Sequence, residues 1–170
     1  MTSRLVVESL AEHHDLQGFD CGHDELNEWL RRHARHAVRQ GTRTYVLIQE
    51  GSLDVLGYFA LAPHLLERAE VPPRIGRGAP HRIPAILLAK LALDIRLQGR
   101  GLGRELLLRA LSTIVDAARL AGGKLVVVDA IDDAAVAFYE RHDFLAMPSN
   151  PSRLVQKLST VAKALGLGWP

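Results

Sequence analysis

The chain of 170 residues has a single cysteine, Cys21, which excludes an internal disulfide framework and any CxxC metal site and fits a reducing compartment. Aromatic residues are scarce, at 5% against 48% hydrophobic overall, so the interior expected is an aliphatic α/β core of Leu, Ala and Val. No run approaches the roughly 20 apolar residues needed to cross a bilayer. The N-terminal MTSRLVVESLAEHHD lacks the apolar stretch of a secretory signal, so a soluble cytoplasmic chain is expected. A formal net charge of only +2 gives no overall pull toward nucleic acid. The length suits one domain, 1–170, around one buried core.

What is present is organised by hydrophobic period. RLVVESL (4–10) predicts a strand, and HDELNEWLRRHARHAVRQ (23–40) a helix stopped by Gly41. TRTYVLIQEG (42–51) and DVLGYFALAPHLL (54–66) predict an antiparallel pair. Residues 67–84, with four prolines and two glycines, predict a surface loop. AILLAKLALDI (85–95) is almost continuously apolar, as a central strand buried on both faces would be. From Leu102 to Leu120 the apolar positions fall on one helical face, and Gly122-Gly123 offers a stop. KLVVVDA (124–130) predicts a second buried strand, completing a parallel strand–helix–strand unit. Asp132 caps a helix through AAVAFYERH, and the tail adds a last strand and a short helix.

Between the first buried strand and the long helix stands Gln98-Gly99-Arg100-Gly101-Leu102-Gly103. A helix N-terminus carries unbonded N–H groups and partial positive charge, and glycines before it let an anion approach the backbone. Arg96, Arg100 or Arg104 supplements that charge. The triphosphate pattern GxxxxGK[ST] is absent, and a dinucleotide fingerprint would need glycine where Arg104 stands. The six residues resemble the Q/R-x-x-G-x-G/A loop of the GNAT acetyltransferases. The resemblance implies a fold of class α/β (α+β), a mixed sheet of about six to seven strands flanked by helices. Its first half would be antiparallel, and its parallel unit would carry the loop.

The same resemblance implies acetyl-CoA as cosubstrate, its pyrophosphate on Arg96 and the stretch Gln98, Gly99, Arg100, Gly101, Leu102, Gly103 and Arg104. Backbone groups of Leu91, Ala92 and Leu93 would pair with the pantetheine arm and polarise the acetyl carbonyl. Ala137-Phe138-Tyr139 is similar to the family's A-x-x-F-Y segment, which implies Tyr139 as general acid and leaves Phe138 to the core. A thiolate of pKa roughly 8.5 gains from a phenol of pKa about 10 as proton donor. An α-amino group of pKa near 8 is partly neutral already, so water suffices as base and transfer is direct. No metal is implied.

Beyond these elements, Phe19-Asp20-Cys21-Gly22, Leu26-Asn27-Glu28-Trp29-Leu30, Arg43-Thr44-Tyr45-Val46, Gly57-Tyr58-Phe59 and Leu91-Ala92-Leu93-Asp94 resemble one branch, the acetyltransferase toxins of type II toxin–antitoxin pairs. This implies acetylation of the amino group of aminoacyl-tRNA and a block of translation. It also implies a homodimer and a ribbon-helix-helix antitoxin that brings operator DNA. The charge pattern permits RNA. Residues 29–49 and 71–93 hold no acid, and Arg35, Arg39, Arg77, Arg82 and Lys90 fit phosphate contacts or, equally, a solvated helix face and a loop. Two other readings stay open: an N-acetyltransferase for a small amine or protein N-terminus, and a silent acetyl-CoA-binding module. His33 and His36 lack a third metal ligand, and Cys21 lacks a histidine partner, so neither forms a site. The family's aromatic-Gly-Phe turn is His142-Asp143-Phe144 here, and Asp can occupy a left-handed position at modest cost, so the fold is expected to survive.

Overall fold

The computed structural model describes residues 4–170. The first elements are β1 (Leu5–Ser9), α1 (Asp24–Glu28), a π-helical turn (Trp29–His33), α2 (Ala34–Ala37), β2 (Arg43–Gln49) and β3 (Gly57–Glu67). Then come α3 (Pro73–Gly76), β4 (Arg82–Leu93), α4 (Leu102–Ala121) and β5 (Leu125–Asp129). The chain ends with α5 (Asp133–Arg141), β6 (Leu145–Met147), β7 (Asn150–Lys157) and α6 (Leu158–Ala164). The strands form one mixed sheet in the order β1-β2-β3-β4-β5-β7-β6. β4 and β5 run parallel, while β1–β2, β2–β3, β5–β7 and β6–β7 are antiparallel. Among the described residues no helix is long and apolar enough to cross a membrane.

Contacts divide the chain into two compact units, one taking in residues up to Ala62 with Lys90–Ala110, the other Pro63–Ala89 with Leu111–Pro170. In the first, Val46 and Ile48 alternate along β2 and meet Leu26, Leu30 and Ala34 at helical spacing. Each such burial is worth roughly 1.5–3 kcal/mol for the larger side chains. The helix expected over 23–40 starts at Asp24 and is not uniform. The N–H of Ala34 bonds the carbonyl of Trp29, five residues back, so one extra residue widens the turn at Trp29–His33. A 3₁₀ turn (Val38–Gln40) follows, and Gly41 ends the segment at φ 90°, as expected.

In the second unit the expected surface loop 67–84 is corrected. It holds a 3₁₀ turn (Arg68–Glu70) and α3, and β4 already begins at Arg82. Pro73 opens α3, where a missing N–H costs nothing. Val71, Ile75 and Ile83 are buried with Leu66, Val127 and Val155, so the proline-rich segment carries a core of its own. β4 also departs from the expected burial on both faces. It pairs with β5 only from Ala85 to Leu88, and Ile86, Leu87 and Ala89–Leu91 are half-buried. The tail holds two strands where one was expected. β6 has only three residues and pairs with β7 through an irregular register at Ala146/Met147, too short a pattern to read.

Asp132 caps α5 by accepting from the N–H of Ala135. At the other end Phe144 N–H bonds Tyr139 O, and Asp143 takes φ 72°, the one non-glycine in the left-handed region among the described residues. Glycine carries no Cβ penalty there. Asp143→Gly should therefore raise stability by about 1 kcal/mol, read as a higher urea midpoint at unchanged slope. A lower midpoint would show that the Asp143 side chain contributes more than its backbone strain costs.

Candidate active site

β4 ends in Leu93, and the chain passes through Asp94, a 3₁₀ turn (Ile95–Leu97) and Gln98 into the glycines before α4. Gly99 and Gly101 sit at φ 81° and 75°, and a Cβ built on either meets nothing within 4 Å. Backbone conformation, not crowding, requires glycine there. The open space also leaves the amides at the start of a 20-residue helix approachable by an anion.

The loop is held from behind by Asp94, only 1% exposed. Its Oδ1 accepts from Arg96 N and Nε, both at 2.9 Å. Its Oδ2 accepts from Arg96 Nη2 at 2.9 Å and from Asp20 N at 3.2 Å. Arg96 Nη1 reaches Asp54 Oδ2 at 3.1 Å. Gln98 Nε2 donates to the carbonyls of Cys21 (3.0 Å) and Leu93 (2.8 Å). Asp20 Oδ1 in turn accepts from Gly22 N and Asn27 Nδ2, and Asn27 Oδ1 accepts from Cys21 N. Burial pulls the Asp94 carboxyl upward, but the hydrogen bonds from Arg96 outweigh it and hold the group below the usual carboxylate range. Asp20 is lowered by its bonds from Gly22 N–H and Asn27.

Two members of the expected pyrophosphate set also brace the loop: Arg96 is engaged by two carboxylates and Gln98 by two carbonyls, although both residues remain exposed. Arg100 and Arg104 are exposed and have no ion-pair partner among the described residues. Leu91 is half-buried, Ala92 and Leu93 are buried, and all three lie beyond the last residue of β4 paired with β5. Asp20 and Asn27, quoted above only for the resemblance, and Asp54 carried no expected part in the site. They stand far from Asp94 and Arg96 in the chain, and nothing in periodicity links them.

In the second unit Tyr139 is 6% exposed, its ring edge-on to Phe138 at 5.3 Å and to Phe144 at 5.5 Å. Its hydroxyl has no hydrogen-bond partner among the described residues. Burial, and secondarily the charge of Asp129, push the phenol up from its ordinary value, so it remains protonated at neutral pH. Also in this unit, and unforeseen, Arg153 grips Asp129 through two bonds of 2.7 and 2.9 Å and meets His64 Nε2 at 3.0 Å. Burial and the charge of Arg153 lower the His64 pKa.

The residues expected to contact nucleic acid differ in their surroundings. Arg35 donates to the carbonyls of Ala11, Glu12 and His14, and Arg82 stands 3.5 Å from Glu67. Arg35 is thus tied to backbone, while the Arg82 side chain stays exposed. Arg39 and Arg77 are exposed, and Lys90 lies 5.7 Å over the Trp29 ring. His33 and His36 join no ligand cluster; the one group of three possible ligands among the described residues is Glu8, His13 and His14. His14 Nδ1 accepts from Ala11 N–H, so its Nε2 carries the proton toward Glu8 and has no lone pair for a metal. Cys21 is buried, its thiol aimed at His23 O, and burial pushes its pKa up.

A parallel strand that outruns its partner and feeds a glycine turn at the start of a long helix is the arrangement that the acetyltransferase resemblance led one to expect. The chain matches the model of the Acetyltransferase (GNAT) family over residues 9–144, and it belongs to that family. It is 35% identical over 167 residues to the tRNA-acetylating toxin of Mycobacterium tuberculosis (strain ATCC 25618 / H37Rv), covering 98% of this chain and 99% of that one. The structure of AtaT complexed with acetyl-methionyl-tRNAfMet superposes with a TM-score of 0.86 at 30% identity, covering 95% of this chain and 99% of that one. A tyrosine-to-phenylalanine mutant of AtaT, bound to the C-terminus of the antitoxin AtaR and to acetyl-CoA, superposes at 0.81 and 29% identity, covering 96% and 99%.

Because Asp94 titrates below its unfolded value, its stabilisation is complete above about pH 4 and is lost as pH falls through the folded value. Asp94→Asn should thus cost about 2 kcal/mol at pH 7, with the gap to the parent chain closing as pH drops below about 4. Thermal melts across pH check this. A gap that stays constant would mean that the charge of Asp94 is not what the loop uses.

Proposed function

We infer that residues 1–170 form one acetyl-CoA-dependent N-acetyltransferase domain that acetylates the amino group of aminoacyl-tRNA and so blocks translation. The observation that carries the reading is end-to-end similarity to a tRNA-acetylating toxin in a chain whose glycine loop opens a long helix. The family model spans both compact units, which supports a single functional domain.

The residues present fit the cosubstrate. Gly99 and Gly101 leave open backbone in front of α4, and Arg100 and Arg104 add unpaired cations beside it. The amides of Gly99–Gly103 with these two arginines bind the pyrophosphate, while Arg96 and Gln98 keep the loop in shape. Acetyl-CoA supplies the activated acetyl thioester. Backbone groups of Leu91–Leu93, outside the β4–β5 pairing, hold the pantetheine arm and orient the acyl carbonyl. The α-amine of an aminoacyl ester is partly neutral at pH 7, so no side chain is needed as base. Tyr139 gives its proton to the departing thiolate; its hydroxyl has no other hydrogen-bond partner among the described residues and is free to bond the sulfur as charge develops there.

As a toxin the chain works in the cytoplasm, where charged tRNA is found. It pairs with a ribbon-helix-helix antitoxin, through which it reaches operator DNA, and it acts as a homodimer.

Incubation with labelled acetyl-CoA and a pool of charged tRNA, beside the same pool deacylated, tests the reading. Label should enter only the charged pool. Label entering a polyamine or peptide but neither tRNA pool would replace the substrate assigned here. Tyr139→Phe should lower single-turnover acetyl transfer about a hundredfold with acetyl-CoA affinity retained. Full-rate transfer would remove Tyr139 from the mechanism.

A further inference from the structure

We propose that Lys90, held over the indole of Trp29, binds the 5′-phosphate of the terminal nucleotide that carries the acceptor amine. The inference rests on the aminoacyl-tRNA reading above and names one residue by which that substrate is told from a free amine.

Trp29 is a fixed platform. Its ring lies nearly parallel to that of Tyr58, at 5.9 Å and 8°, and Tyr58 is itself held edge-on by Phe19 at 5.5 Å. The Tyr58 hydroxyl donates to Leu26 O at 2.7 Å in the turn just before Trp29. The π-helical turn begins at Trp29, and its wider winding sets where the indole emerges from the helix.

Lys90 and Ala92 share one face of β4 by the two-residue period of a strand. Ala92 is buried in the same cluster as Tyr58, with Trp29 packed against it, and the Lys90 ammonium stands 5.7 Å from the Trp29 ring centroid. Among the described residues no carboxylate forms an ion pair with Lys90. A half-buried cation stabilised only by a ring face has unused charge and three donors, and an oxyanion is the ligand that completes them.

The position selects the anion. Lys90 immediately precedes Leu91–Leu93, the segment assigned to the acyl group, so its ligand lies close to the reacting amine. In an aminoacyl ester of a terminal nucleotide the amine and the 5′-phosphate are separated by one amino acid and one ribose, which places that phosphate nearest to the chemistry. The phosphates of acetyl-CoA are assigned to the glycine loop instead.

The test uses 3′-aminoacylamido-adenosine with and without a 5′-phosphate, carrying the amino acid that the charged pool identifies. The parent chain should acetylate the phosphorylated form with kcat/KM about tenfold higher. Lys90→Gln should bring that ratio close to one, Lys90→Arg should keep most of it, and the KM for acetyl-CoA should not follow the ratio. With charged tRNA, Lys90→Gln should flatten the log–log salt dependence of KM by about one unit. A ratio near one in the parent chain, or a ratio unmoved in Lys90→Gln, would reduce Lys90 to a solvated stem covering Trp29. If the parent chain acetylates no charged tRNA, the functional reading falls and this inference falls with it.

Discussion

The carboxylate of Asp94 accepts three hydrogen bonds from its near neighbour Arg96 and one from the backbone of Asp20 while almost wholly removed from water. A buried charge left unpaired costs several kcal/mol, so Arg96 cannot leave and the turn at Ile95–Leu97 cannot unwind without a large penalty. The glycines that follow are conformationally loose by nature. They become a defined cradle only because the segment ahead of them is fixed, by this pair and by Gln98 on two carbonyls. Asp20 and Asn27 extend the same network to the start of α1, so one carboxylate organises both the loop before α4 and the loop before the first helix.

β4 carries two duties along its length. From Ala85 to Leu88 it is an ordinary parallel strand beside β5, and beyond Leu88 its backbone lies outside that pairing. A central strand with uncommitted peptide groups is expensive unless something else uses them. Ala89–Leu91 are only half-buried, so water or an extended ligand can reach the strand there, in a stretch that reads as continuous core.

The elements that sequence made legible are those set by local physics. Gly41, Gly99 and Gly101 take the positive φ their residue type announces, Asp132 caps α5, and the apolar face of 102–120 becomes one long helix. What sequence concealed is set by distant partners. Asp20 and Asp94 are 74 positions apart, Arg96 and Asp54 42 apart, and His64 and Arg153 89 apart. The π-helical turn at Trp29–His33 was hidden as well, because no helical period encodes a single widened turn. The prolines of 67–84 suggested a loop because breakers were counted, while Val71, Ile75 and Ile83 between them supplied a core.

The same distinction governs the basic residues. Arginine presents five donors in a fixed fork, and the fold uses them to satisfy carbonyls and carboxylates that secondary structure leaves over. Arg31 serves Phe19 O, Arg35 three carbonyls around His14, Arg96 two aspartates, and Arg153 Asp129. Some arginines that look free in sequence are therefore fixed in place by the fold. Arg39, Arg77, Arg100, Arg104 and Lys90 are without an anionic partner among the described residues, and so are Arg43 and Arg74. With a net charge of +2, attraction to RNA backbone as such is weak. Discrimination among substrates then has to come from specific contacts, and Lys90, whose ammonium meets the Trp29 ring and no carboxylate among the described residues, is a cation with charge left to offer one.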